Sequence, residues 1–214
     1  MKKIYCISGL GADERAFGRL QIKDHHIVPL PWLMPTPNET ITQYAVRMSA
    51  VITEDNPILM GLSFGGMMSI EIAKIVNAEK VILISSIKSA DELPAWLKLS
   101  GQFRLNRIFP MRSFKIMEPI QNIFLGAQGK DEKDMARSYR KNAPQQYTDW
   151  AINEVLHWQN TWQPSRLFHI HGDNDKMFPI KYVSPTHVVK GGGHFMIMNK
   201  AAEVSAAINE VIGR

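Results

Sequence analysis

The chain has 214 residues, a formal charge of +5, and 45% hydrophobic against 21% charged residues. That balance excludes a disordered polar chain and gives enough apolar side chains for the core of one sizeable domain. No apolar run approaches the roughly 18 residues of a membrane span, no Lys/Arg block of nucleic-acid type occurs, and the one cysteine, Cys6, excludes an internal disulfide and fits a reducing, cytoplasmic setting.

Lys3–Ser8 reads as a first strand, with Cys6 in it as a small buried hydrophobe. A secretion signal is not expected there, because the apolar part after Met1-Lys2-Lys3 is too short and no convincing cleavage site follows. Asp13–Leu20 reads as a short helix, and His26–Leu30 as a second strand stopped by Pro31. After the turn at Pro35-Thr36-Pro37-Asn38, the residues Ile41, Tyr44, Ala45, Met48, Val51 and Ile52 recur at helical spacing until Asn56-Pro57. Ile58–Leu62 is a third strand, Phe64–Val76 its helix, and Lys80–Ser86 a β-branched fourth strand. From about Ile87 to Pro164 the alternation stops. Helix-like stretches there carry Trp96, Phe103, Phe109, Phe114, Phe124, Tyr139, Trp150, Trp158 and Trp162. Arg166–His171 resumes as strand five, Thr186–Val189 as strand six, and a final helix from about Asn199 puts Val204, Ala207, Ile208 and Val211 on one face.

Strands alternating with helices imply an α/β fold, a mostly parallel sheet of about six strands covered by helices on both faces. Residues 1–86 and 165–214 form its one core domain and residues 87–164 a helical insertion.

Gly61-Leu62-Ser63-Phe64-Gly65 falls at the turn from the third strand into its helix. A serine at so sharp a bend is forced out of the backbone path, and glycines two before and two after it remove side chains that would clash. A serine hydroxyl is a poor nucleophile until a base takes its proton, and the base needs a third group to orient it. Both partners follow at strand ends. Strand five runs into His171-Gly172-Asp173-Asn174-Asp175, and strand six into Gly191-Gly192-Gly193-His194.

These motifs, in the order Ser, Asp, His and over nearly the whole chain, resemble the α/β-hydrolases. The resemblance implies Ser63 as nucleophile, His194 as base and Asp175 as the acid, three residues after Gly172 and followed by Pro179, with Asp173 as the rival acid. It implies an oxyanion hole made by the backbone N–H groups of Phe64 and Leu10, in a loop that reads Ser8-Gly9 where the family often has His-Gly. It makes the insertion at 87–164 a helical cap, whose aromatic and Met side chains line a pocket or simply pack the cap onto the core. The activity it implies is hydrolysis of a small ester or thioester through an acyl-enzyme, with no metal or organic cofactor. The same fold also hosts lyases, cofactor-free haloperoxidases, acyltransferases and ligand-binding proteins without turnover.

The remaining signals have plainer readings. His25, His26, His157, His169 and His187 are read as structural or surface residues. His169-Ile170-His171-Gly172-Asp173 partly matches the metal motif of metallo-β-lactamase-like hydrolases. Asn174 stands where that family has a second-metal histidine, so no zinc site is expected. The stretch from Lys98 through Arg104, Arg107 and Arg112 to Lys115 has no acid, and reads as a solvated face or a means of steering an anionic substrate.

Overall fold

The computed structural model describes residues 1–102 and 118–214. Its strands are β1 (Lys2–Ile7), β2 (His25–Pro29), β3 (Ile58–Leu62), β4 (Lys80–Ile84), β5 (Leu167–Gly172) and β6 (His187–Val189). They form one sheet in the order β2-β1-β3-β4-β5-β6. Every pairing is parallel, with Cys6 opposite Met60 and Gly61 opposite Leu83.

Every residue of β3 and β4 is buried, and alternate side chains serve opposite faces. Leu59, Val81 and Leu83 join one core with α1 (Ile41–Ser49) and α2 (Phe64–Ala73). Ile58, Met60, Leu62, Ile82 and Ile84 join a second, which takes in Val204, Ile208 and Val211 of the last helix. Such two-sided burial is what a wholly parallel sheet requires, and it explains why its central strands read as unbroken apolar runs. α1 is amphipathic: a capping box between Thr40 and Gln43 starts it, and Ile41, Tyr44, Ala45 and Met48 face inward. α2 is buried on all sides from Phe64 to Ile72, as its apolar sequence demands.

Between β4 and β5 lie α3 (Ala95–Gln102), α4 (Glu118–Leu125), α5 (Lys130–Asn142) and α6 (Gln145–Leu156), with no strand among the described residues. Two indoles fasten this insertion to the core. Trp150 Nε1 donates to the Glu39 carbonyl at 2.7 Å, and Trp158 Nε1 donates to the buried carboxylate of Glu71 at 2.8 Å. Trp96 and Trp162 are exposed instead. Phe103, Phe109 and Phe114, and the basic Arg104, Arg107, Arg112 and Lys115, lie outside the described residues. Among the described residues no helix is long and apolar enough to cross a membrane.

Three boundaries differ from the sequence reading. The expected helix at Asp13–Leu20 is a single 3₁₀ turn, Glu14–Phe17. The Asp13 carboxylate holds both the backbone N–H and the guanidinium of Arg15, and Gly18 closes the turn onto the Arg15 carbonyl. The helix expected to reach Val76 ends at Ala73, where Lys74 caps it. The last helix is split at Lys200 (φ −127°, ψ 33°) into α7 (Met196–Asn199) and α8 (Ala201–Gly213), so that a short turn follows His194 directly.

Candidate active site

All strands point the same way, so the loops leaving their carboxyl ends share one edge of the sheet. Chain order reverses between β1 and β3, the place where α/β sheets open a crevice. The loops that carry Leu10, Ser63, Asp175 and His194 all leave from that edge.

Ser63 sits in the bend between β3 and α2 at φ +53°, ψ −119°. A left-handed backbone at a residue other than glycine costs about 1–3 kcal/mol and persists only where neighbours fix it. Here they do. Ser63 N–H donates to the Ile84 carbonyl at 2.9 Å, and its own carbonyl accepts from Gly66 N–H at 2.9 Å and Ser86 Oγ at 2.6 Å. The flanking glycines permit the close approach, since a Cβ on Gly61 would collide with the Gly65 backbone, and one on Gly65 with the carbonyls of Ile7 and Ser8.

The geometry brings Ser63, His194 and Asp175 together. Ser63 Oγ lies 2.8 Å from His194 Nε2, and His194 Nδ1 lies 2.9 Å from Asp175 Oδ2. Asp175 is 3% exposed, and its other oxygen accepts from the N–H groups of Met177 (2.8 Å) and Phe178 (2.9 Å). Burial pushes the Asp175 carboxyl up, but the neighbouring His194 and His171 and the Phe178 N–H outweigh it and hold it below the usual carboxylate range. An ionised Asp175 only accepts, so Nδ1 of His194 carries the proton and Nε2 turns its lone pair toward the Ser63 hydroxyl. The His194 ring packs edge-on against Phe178 at 5.4 Å. Its loop is drawn in by Asn174 N–H on the Gly192 carbonyl, and Phe195 N–H donates to the Leu125 carbonyl of α4.

Asp173 is exposed, and its carboxylate accepts from Gly191 N–H at 2.6 Å, bracing the loop that leads to His194. Phe64 supplies the first N–H of α2, where the helix dipole is positive. Leu10 lies in the loop after β1, which passes close by: a Cβ on Gly9 would lie 3.5 Å from Ser63 Cβ. Among the described residues neither the Phe64 nor the Leu10 N–H donates a hydrogen bond.

Sequence reasoning missed Trp32. Its indole N–H reaches Ser8 Oγ (3.0 Å) and the Gly9 carbonyl (3.2 Å), and its ring stacks on Phe64 at 5.1 Å. Tyr147 of α6 packs on Trp32 at 5.4 Å, which joins the insertion to the loop holding Leu10. No local motif marks Trp32; only the pairing of β2 with β1 brings it there. His169 and His171 are buried in β5, and no group of three His, Cys, Asp or Glu among the described residues is placed to hold a metal ion.

The Alpha/beta hydrolase family model matches residues 4–207. The chain belongs to that family. As an alpha/beta hydrolase it superposes on many solved structures, among them three at low identity. An esterase from Thermogutta terrifontis is 14% identical, with 99% of this chain and 89% of that one covered at a TM-score of 0.72. A bromoperoxidase from Bacillus anthracis is 17% identical, with 100% and 92% covered at 0.73. The N-acyl homoserine lactonase AidH is 15% identical, with 99% and 88% covered at 0.69. At these identities the likeness shows the fold alone. No curated protein matches the chain in sequence.

Proposed function

We propose that this alpha/beta hydrolase is a serine hydrolase of small esters or thioesters. One observation carries the reading: a hydroxyl on a strained bend lies 2.8 Å from an imidazole whose far nitrogen lies 2.9 Å from a buried carboxylate. The esterase, lactonase and bromoperoxidase neighbours share the fold and are compatible with it.

In this mechanism Ser63 Oγ attacks the substrate carbonyl as its proton passes to His194 Nε2. The carbonyl oxygen becomes an oxyanion held by the N–H groups of Phe64 and Leu10, donors worth about 3–4 kcal/mol each by analogy with other oxyanion holes. Asp175 stabilises the imidazolium. His194 then protonates the leaving alkoxide or thiolate as the C–O or C–S bond breaks, leaving the acyl group on Ser63. Water attacks that ester, His194 takes its proton, and collapse of the second tetrahedral intermediate returns the proton to Ser63 and releases the acid. Asp173 has no step. The helices between β4 and β5 serve as a cap over this site, and the single buried cysteine, Cys6, fits a cytoplasmic setting.

The test is turnover of a panel of short-chain p-nitrophenyl esters and acyl thioesters by the wild-type protein and Ser63→Ala. Loss of turnover in a folded Ser63→Ala supports the reading, and retained turnover overturns it. Accumulation of an acyl-enzyme in rapid quench separates a hydrolase or transferase from a lyase on the same fold.

A further inference from the structure

Of the two histidines of β5, the site described above involves only His171, as a neighbour of Asp175, and gives neither a step. His169 and His171 are alternate residues of one strand and so share a face, and their exposures are 1% and 0%. They form a hydrogen-bonded chain that ends on the Phe178 carbonyl, beside the acid. His169 Nε2 lies 3.2 Å from His171 Nδ1, and His171 Nε2 lies 2.8 Å from the Phe178 carbonyl and 3.5 Å from Asp175 Oδ2.

The direction of each bond follows from what each atom can do. A carbonyl only accepts, so His171 Nε2 carries a proton and points it at the Phe178 carbonyl. In a neutral ring Nδ1 then accepts, and His169 Nε2 donates to it. The atom left over, His169 Nδ1, has no partner of normal hydrogen-bond geometry, although the Ser86 backbone lies near enough to the ring to favour its protonated form. Burial agrees with neutral rings: it pushes His171 below its ordinary value and His169 down to about 3. The charged or titratable groups around the pair are Asp175, His194, Lys88 and Glu92.

Phe178 is therefore tied at both backbone ends. Its N–H binds Asp175 Oδ1, its carbonyl binds His171, and its ring packs against His194. We propose that His171, locked in its Nε2–H tautomer by the Phe178 carbonyl and bonded through Nδ1 to His169, is a positioning residue that fixes the Phe178 backbone and the Asp175 carboxylate, and through them the imidazole of His194. The N–H of His171 also faces the same carboxylate oxygen that receives His194 Nδ1–H, so it favours the ionised acid without taking its place. In the catalytic cycle this part rests on the hydrolase reading. The hydrogen-bond geometry does not.

The experiment compares wild type, His171→Leu and His171→Gln, the last of which keeps a donor and an acceptor. The first readout is the downfield proton resonance of the His194 Nδ1–H to Asp175 hydrogen bond, with long-range 1H–15N spectra to assign histidine tautomers; it needs no substrate. The expected result is a neutral Nε2–H His171 in wild type, and a downfield proton kept in His171→Gln and broadened or lost in His171→Leu. A doubly protonated His171 near neutral pH, or a downfield proton unchanged in folded His171→Leu, overturns the proposal. The second readout is steady-state kinetics on p-nitrophenyl butyrate. Misplacing the acid should lower kcat by about 10- to 100-fold in His171→Leu, with KM nearly unchanged and the acid limb of kcat/KM displaced, and His171→Gln should recover most of the loss. Equal loss of thermal stability in both variants with kcat and the pH profile unchanged would make His171 merely structural and also overturn it. A wild-type protein inert toward every ester would sink the hydrolase reading and leave the spectra to decide this one.

Discussion

Replacing Asp175 by Asn keeps the shape of the site and reverses the logic of its hydrogen bonds. Asp175 Oδ1 accepts two N–H groups, from Met177 and Phe178, whereas Oδ2 accepts one, from His194. An amide NH₂ placed at Oδ1 would face two donors and leave both unsatisfied, at about 1–3 kcal/mol each. Placed at Oδ2 it faces His194 Nδ1 at 2.9 Å, which can become an acceptor by a change of tautomer, while the His171 N–H stands back at 3.5 Å. The amide carbonyl therefore takes the Oδ1 position and the NH₂ turns to His194 Nδ1. The imidazole then carries its proton on Nε2, aimed at Ser63 Oγ, and has no lone pair with which to take the hydroxyl proton. A wrong tautomer in a Ser-His-Asp site costs about 10⁴-fold in kcat, about 5.5 kcal/mol of barrier. The assay is kcat and kcat/KM for p-nitrophenyl butyrate near neutral pH, with circular dichroism to show that the variant is folded. Asp173→Asn, which loses only a brace on Gly191, should stay within a few-fold of wild type. A loss below tenfold in Asp175→Asn, or the larger loss in Asp173→Asn, would refute the reasoning.

Three further outcomes follow from the same geometry. Gly65→Ala drives a methyl into the carbonyls of Ile7 and Ser8, backbone that cannot move aside, and should lower the urea-unfolding free energy by about 3 kcal/mol or more; a midpoint equal to wild type contradicts the close approach. Trp32→Phe keeps an aromatic ring on Phe64 but removes the N–H that holds Ser8 and Gly9, so kcat should fall several-fold with KM little changed, and a change confined to KM would assign Trp32 to substrate binding instead. His169 is held down to about 3 when folded, against 6.5 for the free side chain, so between those values the unfolded chain takes a proton that the folded one refuses. Stability must fall as pH drops through that window, by about 5 kcal/mol from this group, and His169→Leu should flatten the decline measured by urea titration at stepped pH; parallel curves would show that His169 is not buried as a neutral ring.

How much of this could be read in advance depended on how local the cause was. The Ser63 bend is specified within five residues, because Gly61 and Gly65 touch each other's backbone and that of β1. The convergence of Leu10, Ser63, Asp175 and His194 on one edge needed only the inference that the strands are parallel, which the buried runs of β3 and β4 disclose. Choosing between Asp173 and Asp175 as the neighbour of His194 needed coordinates, since both follow Gly172 in the same turn and only the fold of the loop points one inward and the other to solvent. Trp32, Tyr147 and the polar role of His171 were invisible because their partners lie in other elements of the chain. The 3₁₀ turn at Glu14–Phe17 was misjudged because Asp13 serves Arg15 rather than opening a longer helix.

The central claim is that Ser63 is an activated nucleophile. A fluorophosphonate probe reacts with such a hydroxyl, so the most direct measurement is to treat the folded wild-type protein and Ser63→Ala with it and locate the adduct by peptide mass spectrometry. The account predicts one stoichiometric adduct, on Ser63, and none in the variant. An unlabelled Ser63 in the folded protein, or equal labelling of the variant at another residue, would contradict it.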